Sequence, residues 1–177
     1  MKRILKRILL GIPVVFTAVS AFHLYYRDGY RDLTIGRTLR QEEELFSRME
    51  GIHKVRISLL AGEGEPDGKF PIAMWGKPDT YGSVDLTGAD LDRFLELWRP
   101  QETELASSFG CHEPGYGFRL YRPGKAPVNC TVCWKCYNVY MKSYPGKGGT
   151  MAFNAETEDA KRLLEFCDKL LPYKREG

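Results

Sequence analysis

The sequence predicts an α+β domain, in which an antiparallel β-sheet packs with two to three helices behind an N-terminal transmembrane or signal helix. Two kinds of pattern predict this fold: segments that alternate apolar and polar residues, typical of half-buried strands, and segments with apolar residues at helical spacing. The 177 residues are 43% hydrophobic and 28% charged. This composition suits one globular domain and excludes a disordered chain or a multi-span membrane protein.

An apolar leader begins the chain. Residues 8–26 contain no Asp, Glu, Lys or Arg and follow four basic residues. A helix of this length spans roughly 28 Å, close to the thickness of the hydrocarbon core of a bilayer. We expect either an uncleaved anchor in the cytoplasmic membrane or a signal peptide cleaved near Ser20, and both leave the C-terminal domain outside the cytoplasm, tethered, periplasmic or secreted. The remaining alternative is a buried helix of a cytosolic protein.

The positive formal charge of the chain comes from this leader. Lys2, Arg3, Lys6 and Arg7 are 4 of the 26 basic residues, so the rest of the chain has 22 basic (26 minus 4) against 23 acidic residues and a formal charge of −1 instead of +3. Nucleic-acid-binding domains concentrate Lys and Arg on their folded part. We therefore expect no nucleic-acid partner and a membrane as the partner of residues 8–26, while the sequence indicates no particular protein partner.

We divide the chain into three segments: residues 1–27 form the anchor or signal peptide, residues 28–53 a juxtamembrane connector and a helix, and residues 54–177 a single α+β domain with a cysteine cluster. In the second segment, Thr38 is followed three residues later by Gln, as in a capping box at a helix N-terminus. Gly51 is a suitable residue to end that helix.

The sequence of the first half of the domain predicts two strands and one helix. Residues 55–59 alternate apolar and polar side chains, as expected for a half-buried strand. Residues 61–80 contain several Gly and Pro and predict either a long loop or a hairpin. Residues 84–86 predict a second strand, and residues 87–98 a capped helix that ends before Pro100.

The end of the domain predicts one further helix. Asn154 is expected to cap it and Pro172 to end it, with acidic residues in its first turn. Cys167 belongs to its apolar stripe and is expected to be a buried free thiol. The Gly-rich residues 146–150 lack the spacing of a phosphate-binding loop and predict an ordinary loop.

The sequence in the middle of the domain predicts an antiparallel hairpin. Residues 122–125 have the sequence Arg-Pro-Gly-Lys, which favours a turn between two arms. If the turn centres on Gly124, residues that face each other have numbers that sum to about 248. Cys111 then meets Cys133 and Cys136 at the open end of the hairpin, provided that the chain turns after Cys133 and continues as a strand over residues 137–141.

Several kinds of site fit these cysteines. One is a tetrahedral zinc site with Cys111, Cys133 and Cys136 as ligands and His112 or Cys130 as the fourth. Another is a disulfide among Cys111, Cys133 and Cys136, which suits an exported domain. The same residues are also compatible with free thiols in the core. An iron–sulfur site is disfavoured because the pattern lacks the fourth Cys that ferredoxins have.

In this region the sequence resembles a group of uncharacterised bacterial proteins. Their shared pattern is a Cys with a Pro a few residues later, a Gly-aliphatic-Arg strand, and a Cys-aromatic-x-Cys segment. Here the pattern is carried by Cys111, Pro114, Gly117, Phe118, Arg119, Cys133, Trp134 and Cys136. The resemblance covers about residues 84–171. It implies a shared architecture and a shared site, and it implies no reaction.

Two functions are consistent with this sequence. The first is a membrane-tethered extracytoplasmic domain without enzymatic activity, whose cysteine cluster is structural and formed by zinc or a disulfide. The alternative is a thiol-dependent redox or hydrolytic enzyme that uses Cys133 and Cys136 near His112. This alternative requires a Cys thiol with a lowered pKa. Zinc is the only cofactor that the sequence suggests, and no substrate is indicated.

Overall fold

A computed structural model describes residues 48–72, 76–106, 111–143 and 149–173. The predicted leader and most of the predicted helix after Thr38 lie outside these residues. The described residues form nine strands and two helices, and none of their helices has the length and apolar character needed to cross a membrane. In chain order the elements are β1 Lys54–Leu59, β2 Gly68–Lys69, β3 Asp79–Thr80, β4 Ser83–Leu86, α1 Gly88–Trp98, β5 Thr103–Ala106, β6 Tyr116–Tyr121, β7 Val128–Cys133, β8 Asn138–Ser143, β9 Gly149–Phe153 and α2 Glu158–Leu170.

Seven of the strands form one sheet in the order β4-β1-β6-β7-β8-β9-β5. Every neighbouring pair in this sheet is antiparallel. The two remaining strands, β2 and β3, form a separate two-stranded ribbon. An antiparallel sheet with two helices confirms the predicted α+β class for the described part of the chain.

The hairpin of β6 and β7 lies near the middle of the sheet and has the predicted register. Tyr116 lies opposite Val132 and Leu120 opposite Val128, so the numbers of facing residues sum to 248. Gly124 has a φ of 65°, a conformation that glycine adopts without steric cost. After β7 the chain turns over residues 134–137 and returns as β8, so a strand follows the turn as predicted.

Both helices pack against the same face of the sheet. Phe118 of β6 is fully buried, and its ring lies edge-on to the rings of Phe94 at 5.3 Å and Trp98 at 5.7 Å, both in α1. From α2, Leu163 and Cys167 are fully buried in the same hydrophobic core. Cys167 is buried there and forms no disulfide, as expected from the apolar stripe of this helix.

The opposite face of the sheet, which we call the polar face, carries mainly polar side chains. They alternate along each strand with core residues, because successive side chains of a strand point to opposite faces. The ribbon of β2 and β3 approaches this face through Phe70. A Cβ atom added at Gly117 would lie 2.7 Å from the Phe70 ring, so this close approach requires the glycine.

Of the two alternatives for residues 61–80, the hairpin is confirmed, since these residues contain the antiparallel β2–β3 ribbon. Two local expectations differ from the structure. Two short strands, β5 and β9, were not predicted, and β9 begins inside the Gly-rich segment that predicted a loop. The N-cap of α2 is Thr157, whose Oγ1 accepts a hydrogen bond from the backbone N–H of Ala160 at 3.1 Å, whereas Asn154 stabilises the preceding turn.

Candidate functional site

A disulfide joins Cys111 to Cys136. Cys111 precedes β6, Cys136 lies in the turn between β7 and β8, and their Cα atoms are 6.1 Å apart. The two residues meet because β6 and β7 pair in a register that brings the start of one strand to the end of the other. The loop closed by this bond, with a sequence separation of 25, contains both strands of the hairpin.

Cys133, the last residue of β7, lies beside the disulfide and is a free, buried thiol. Its Sγ donates a hydrogen bond to the carbonyl oxygen of Glu113 at 3.1 Å and accepts one from the backbone N–H of Cys136 at 3.2 Å. Burial raises the pKa of the Cys133 thiol. Burial also raises the pKa of Cys130, which is fully buried in the core.

His112 is 5% exposed and uses both of its ring nitrogens within the protein. Its Nδ1 lies 2.5 Å from Oδ1 of Asn138, and its Nε2 lies 2.7 Å from Oγ1 of Thr131. Because Oδ1 only accepts, the network assigns the proton to Nδ1, and the neutral ring then accepts from the Thr131 hydroxyl through Nε2. The Asn138 amide in turn donates to the carbonyl oxygen of Cys111 at 2.8 Å.

The residues predicted as zinc ligands come to one end of the hairpin, but they have other partners there. Cys111 and Cys136 are bonded to each other, and His112 is occupied by Asn138 and Thr131. Cys130 packs in the core on the other side of β7. Across the described ranges, no group of three or more His, Cys, Asp and Glu residues could hold a metal ion. Zinc binding stays a prediction, and it requires that the disulfide between Cys111 and Cys136 be reduced, because only free thiols can bind the metal.

The polar face also carries a line of polar and charged side chains that the sequence did not predict. Residues directly opposite one another on five neighbouring strands form a line across the sheet, which we call the charged row. From β4 to β8 it consists of Asp85, Arg56, Arg119, Asn129 and Lys142. Each strand contributes one residue, so the row becomes visible only once strand order and register are known.

One end of the charged row is neutralised by an ion pair. The Asp85 carboxylate accepts two hydrogen bonds from the Arg56 guanidinium, at 2.6 and 2.8 Å. These hydrogen bonds lower the pKa of Asp85 and raise that of Arg56. Among the described residues, neither Arg119 nor Lys142 has a carboxylate partner. The middle and far end of the row therefore carry excess positive charge.

Comparisons of this chain with known protein families, with curated proteins and with solved structures find no match. The resemblance of residues 84–171 to a group of uncharacterised bacterial proteins therefore stays a prediction.

Acidification is expected to destabilise the fold through His112. Burial lowers the pKa of this imidazole below its ordinary value of 6.5, so the unfolded chain binds a proton more readily than the folded one does. The contribution of His112 to stability is therefore fully present above a pH of about 6.5 and is lost as the pH falls through the lower folded-state pKa. Urea denaturation at neutral pH and at mildly acidic pH measures this loss.

Two Gln variants distinguish the contribution of His112 to this pH dependence from that of other titrating groups. His112→Gln is expected to be less stable at neutral pH and to show a weaker dependence of unfolding free energy on pH than the wild type. His53→Gln, at an exposed position, is expected to keep the wild-type dependence. An unchanged pH dependence in His112→Gln would show that another group is responsible.

Proposed function

We propose that this protein is an extracytoplasmic domain tethered to the cytoplasmic membrane by residues 8–26, without catalytic activity of its own. In this proposal the bond between Cys111 and Cys136 is a structural cross-link. The pairing of these two cysteines is the observation that carries the proposal. Disulfides persist in oxidising compartments and are rare in the cytosol, where thiols are kept reduced. An apolar leader and a structural disulfide are therefore mutually consistent.

The position of the disulfide supports a structural role. It holds the segment before β6 against the turn after β7, at the end of the hairpin opposite to Gly124. The Asn138 amide reinforces this end through its hydrogen bond to the carbonyl oxygen of Cys111. A cross-link of this kind restricts the unfolded chain and keeps two adjacent strands in register.

The contacts of the cysteine cluster argue against the alternative, a thiol-dependent enzyme. Catalytic cysteines are accessible and have a lowered pKa, whereas Cys133 is fully buried and its pKa is raised by burial. Cys136 has no thiol while it is bonded to Cys111. His112, which this alternative places near the reactive thiols, has both ring nitrogens occupied by Asn138 and Thr131. These observations support a structural assignment for the cluster.

Counting free thiols in protein taken from cells tests the proposal. Cells are lysed in denaturant with N-ethylmaleimide, and the intact mass of the full-length chain is measured with and without prior reduction. The chain has five Cys, and Cys130, Cys133 and Cys167 are not disulfide-bonded. We therefore expect three adducts before reduction and five after it.

A variant that lacks residues 1–27 is the matched control. Without its leader it should stay in the reducing cytosol and take five adducts before reduction. Five adducts on the non-reduced full-length chain would contradict the structural disulfide. One bound zinc ion in the native mass of a separate sample, purified without denaturant, N-ethylmaleimide or chelator, would favour the zinc site. Alkylation of native, folded protein faster than that of a model thiol would favour the thiol enzyme.

A further inference from the structure

Three cysteines lie at the open end of the β6–β7 hairpin, and the cross-link uses only two of them. The third, Cys133, is held against both halves of the disulfide. Its Sγ accepts a hydrogen bond from the backbone N–H of Cys136 at 3.2 Å. It also donates one to the carbonyl oxygen of Glu113, two residues after Cys111, at 3.1 Å. The protein therefore keeps a thiol beside the disulfide that is not part of it.

Cys133 and Cys136 are placed to form a disulfide with each other. Cys133 ends β7, and the chain turns over residues 134–137 before β8 begins. Such a turn brings Cα atoms three positions apart to within about 7 Å, and disulfides span Cα distances of up to about 6.8 Å. The amide nitrogen of Cys136 that contacts Sγ of Cys133 is three covalent bonds from the Cys136 sulfur. Rotation of the two side chains is therefore sufficient to bring the sulfur atoms together.

Cys130 has the same spacing from Cys133 and shows what the turn contributes. Both residues belong to β7, and residues three apart on a strand point to opposite faces and are roughly 10 Å apart. Cys130 is fully buried in the core, where its Sγ donates to the carbonyl oxygen of Phe118 at 3.5 Å. The strand thus keeps Cys130 away from Cys133, whereas the turn brings Cys136 close.

We propose that Cys133 exchanges with the Cys111–Cys136 disulfide and so releases Cys111 as a reactive surface thiol. The Cys133 thiolate attacks Sγ of Cys136, a bond forms between these two sulfur atoms, and the bond between Cys136 and Cys111 breaks. Cys111 leaves as a thiolate and takes up a proton in place of the one that Cys133 lost. The exchange consumes no oxidant or reductant, and it rests on the proposed function because it starts from the same disulfide.

The different exposure of the two thiols makes the exchange a switch. Cys133 is buried and Cys111 is exposed, so the free thiol moves from the interior to the surface. The exchange also replaces a loop with a sequence separation of 25 by a short loop across one turn, which frees the segment before β6. The structure holds the longer loop, and a thiol-reactive molecule that captures Cys111 shifts the population toward the shorter one.

The surroundings of Cys133 make this exchange slow. Burial and the Glu113 carboxylate raise the pKa of the Cys133 thiol, although hydrogen bonds such as that from the N–H of Cys136 oppose the effect. Only the thiolate attacks a disulfide, so few molecules are reactive at neutral pH. Burial does not block the attack itself, because the target sulfur belongs to the same cluster. A slow exchange of this kind agrees with the absence of the low pKa that a thiol enzyme needs.

Trapping of Cys111 in the folded protein tests the exchange. Oxidised full-length protein in a non-ionic detergent, free of reductant, is incubated with N-ethylmaleimide at mildly alkaline pH. The reagent is then removed, the protein is unfolded, and the remaining thiols are blocked with iodoacetamide before digestion with trypsin. We expect a maleimide adduct on Cys111 that forms more slowly than that of a model thiol, in chains that carry a Cys133–Cys136 disulfide.

Trypsin distinguishes the two linkages because it cuts after Lys135, between Cys133 and Cys136. A disulfide between these two cysteines joins peptides that are adjacent in the sequence. A disulfide from Cys111 to Cys136 joins peptides that are separated by further cleavage sites. The masses of the linked peptides therefore report the pairing in each sample.

Cys133→Ser and Cys130→Ser are matched variants. Serine at position 133 can keep both hydrogen bonds of the thiol but cannot exchange with a disulfide, so this variant should form no adduct on Cys111. Cys130→Ser removes a thiol at the same spacing and should behave as the wild type. Equal trapping of Cys111 in Cys133→Ser, a maleimide group on Cys133 of the wild type, or no reaction of wild-type Cys111 would each overturn the proposal.

Cys111→Ser reports the second linkage without trapping. Counted in the same way as the wild type, this variant should take two maleimide adducts before reduction and four after it, because Cys133 and Cys136 are bonded. Cys136→Ser is the control and should take four in both states. Four adducts on non-reduced Cys111→Ser, beside three on the wild type, would contradict the exchange alone. Five on the wild type would contradict the structural disulfide, so the two failures are distinguishable.

Discussion

Replacing both Cys111 and Cys136 with Ala is expected to lower the free energy of unfolding by about 3.5 kcal/mol, the value that the loss of chain entropy gives for a loop of this size. The separation of 25 residues sets the size of the closed loop. Because the loop contains β6 and β7, the loss concerns two strands near the middle of the seven-stranded sheet. Urea denaturation of the oxidised wild type and of the double variant measures the difference.

Reduction of the wild type provides the matched control. A reductant should lower the stability of the wild type to that of the Cys111→Ala/Cys136→Ala protein and should leave the double variant unchanged. The three remaining thiols are common to both proteins, so their reactions cancel in this comparison. If reduced and oxidised wild type unfold at the same urea concentration, the cross-link is not structural.

Phe118→Ala is expected to have an effect of similar or greater size, a loss of about 3–5 kcal/mol in unfolding free energy. The Phe118 ring is fully buried between the sheet and α1, where it contacts the rings of Phe94 and Trp98. Its removal leaves a cavity and two aromatic rings without their edge-to-face partner. The urea midpoint, measured at an unchanged m-value, reports this loss.

Two further substitutions on β6 test whether the loss of stability comes from the cavity left by the buried Phe118 ring. Phe118→Leu fills most of the space and should cost clearly less than the Ala variant. Tyr121→Ala lies on the same strand but on the polar face and is only half-buried, so it should also cost less. A loss below about 1 kcal/mol for Phe118→Ala, within the range of ordinary surface substitutions, would contradict this packing.

Local sequence features predicted the central hairpin correctly. The Pro-Gly pair in residues 122–125 defines the turn, and a fixed turn determines every pairing between β6 and β7. That register was sufficient to place Cys111 near Cys133 and Cys136. It was not sufficient to choose between them, because the choice depends on how the chain turns after Cys133, where Tyr137 adopts a φ of 53° that is uncommon for residues other than glycine.

Features that depend on distant strands could not be predicted in the same way. β5 and β9 are short, and their pairing is a tertiary contact between residues about 45 positions apart, as for Leu105 and Met151. The charged row has the same origin, because its five members come from five strands and form no motif in the linear sequence. The N-cap of α2 differs for a local reason: Asn154 and Thr157 are both good caps, and the turn after β9 uses the first of them.

The placement of the disulfide has a consequence for how the sheet assembles. The bond encloses β6, β7 and the turn between them, so the oxidised segment is a closed two-stranded unit made entirely of local contacts. Each outer edge of that unit is the template for a neighbour, β1 on one side and β8 on the other. Pairing of β1 with β6 joins residues about 60 positions apart, from Leu59 and Tyr116 to Lys54 and Tyr121, and is entropically costly. A pre-formed central unit lowers that barrier, so oxidation early in biogenesis should speed the maturation of the whole domain.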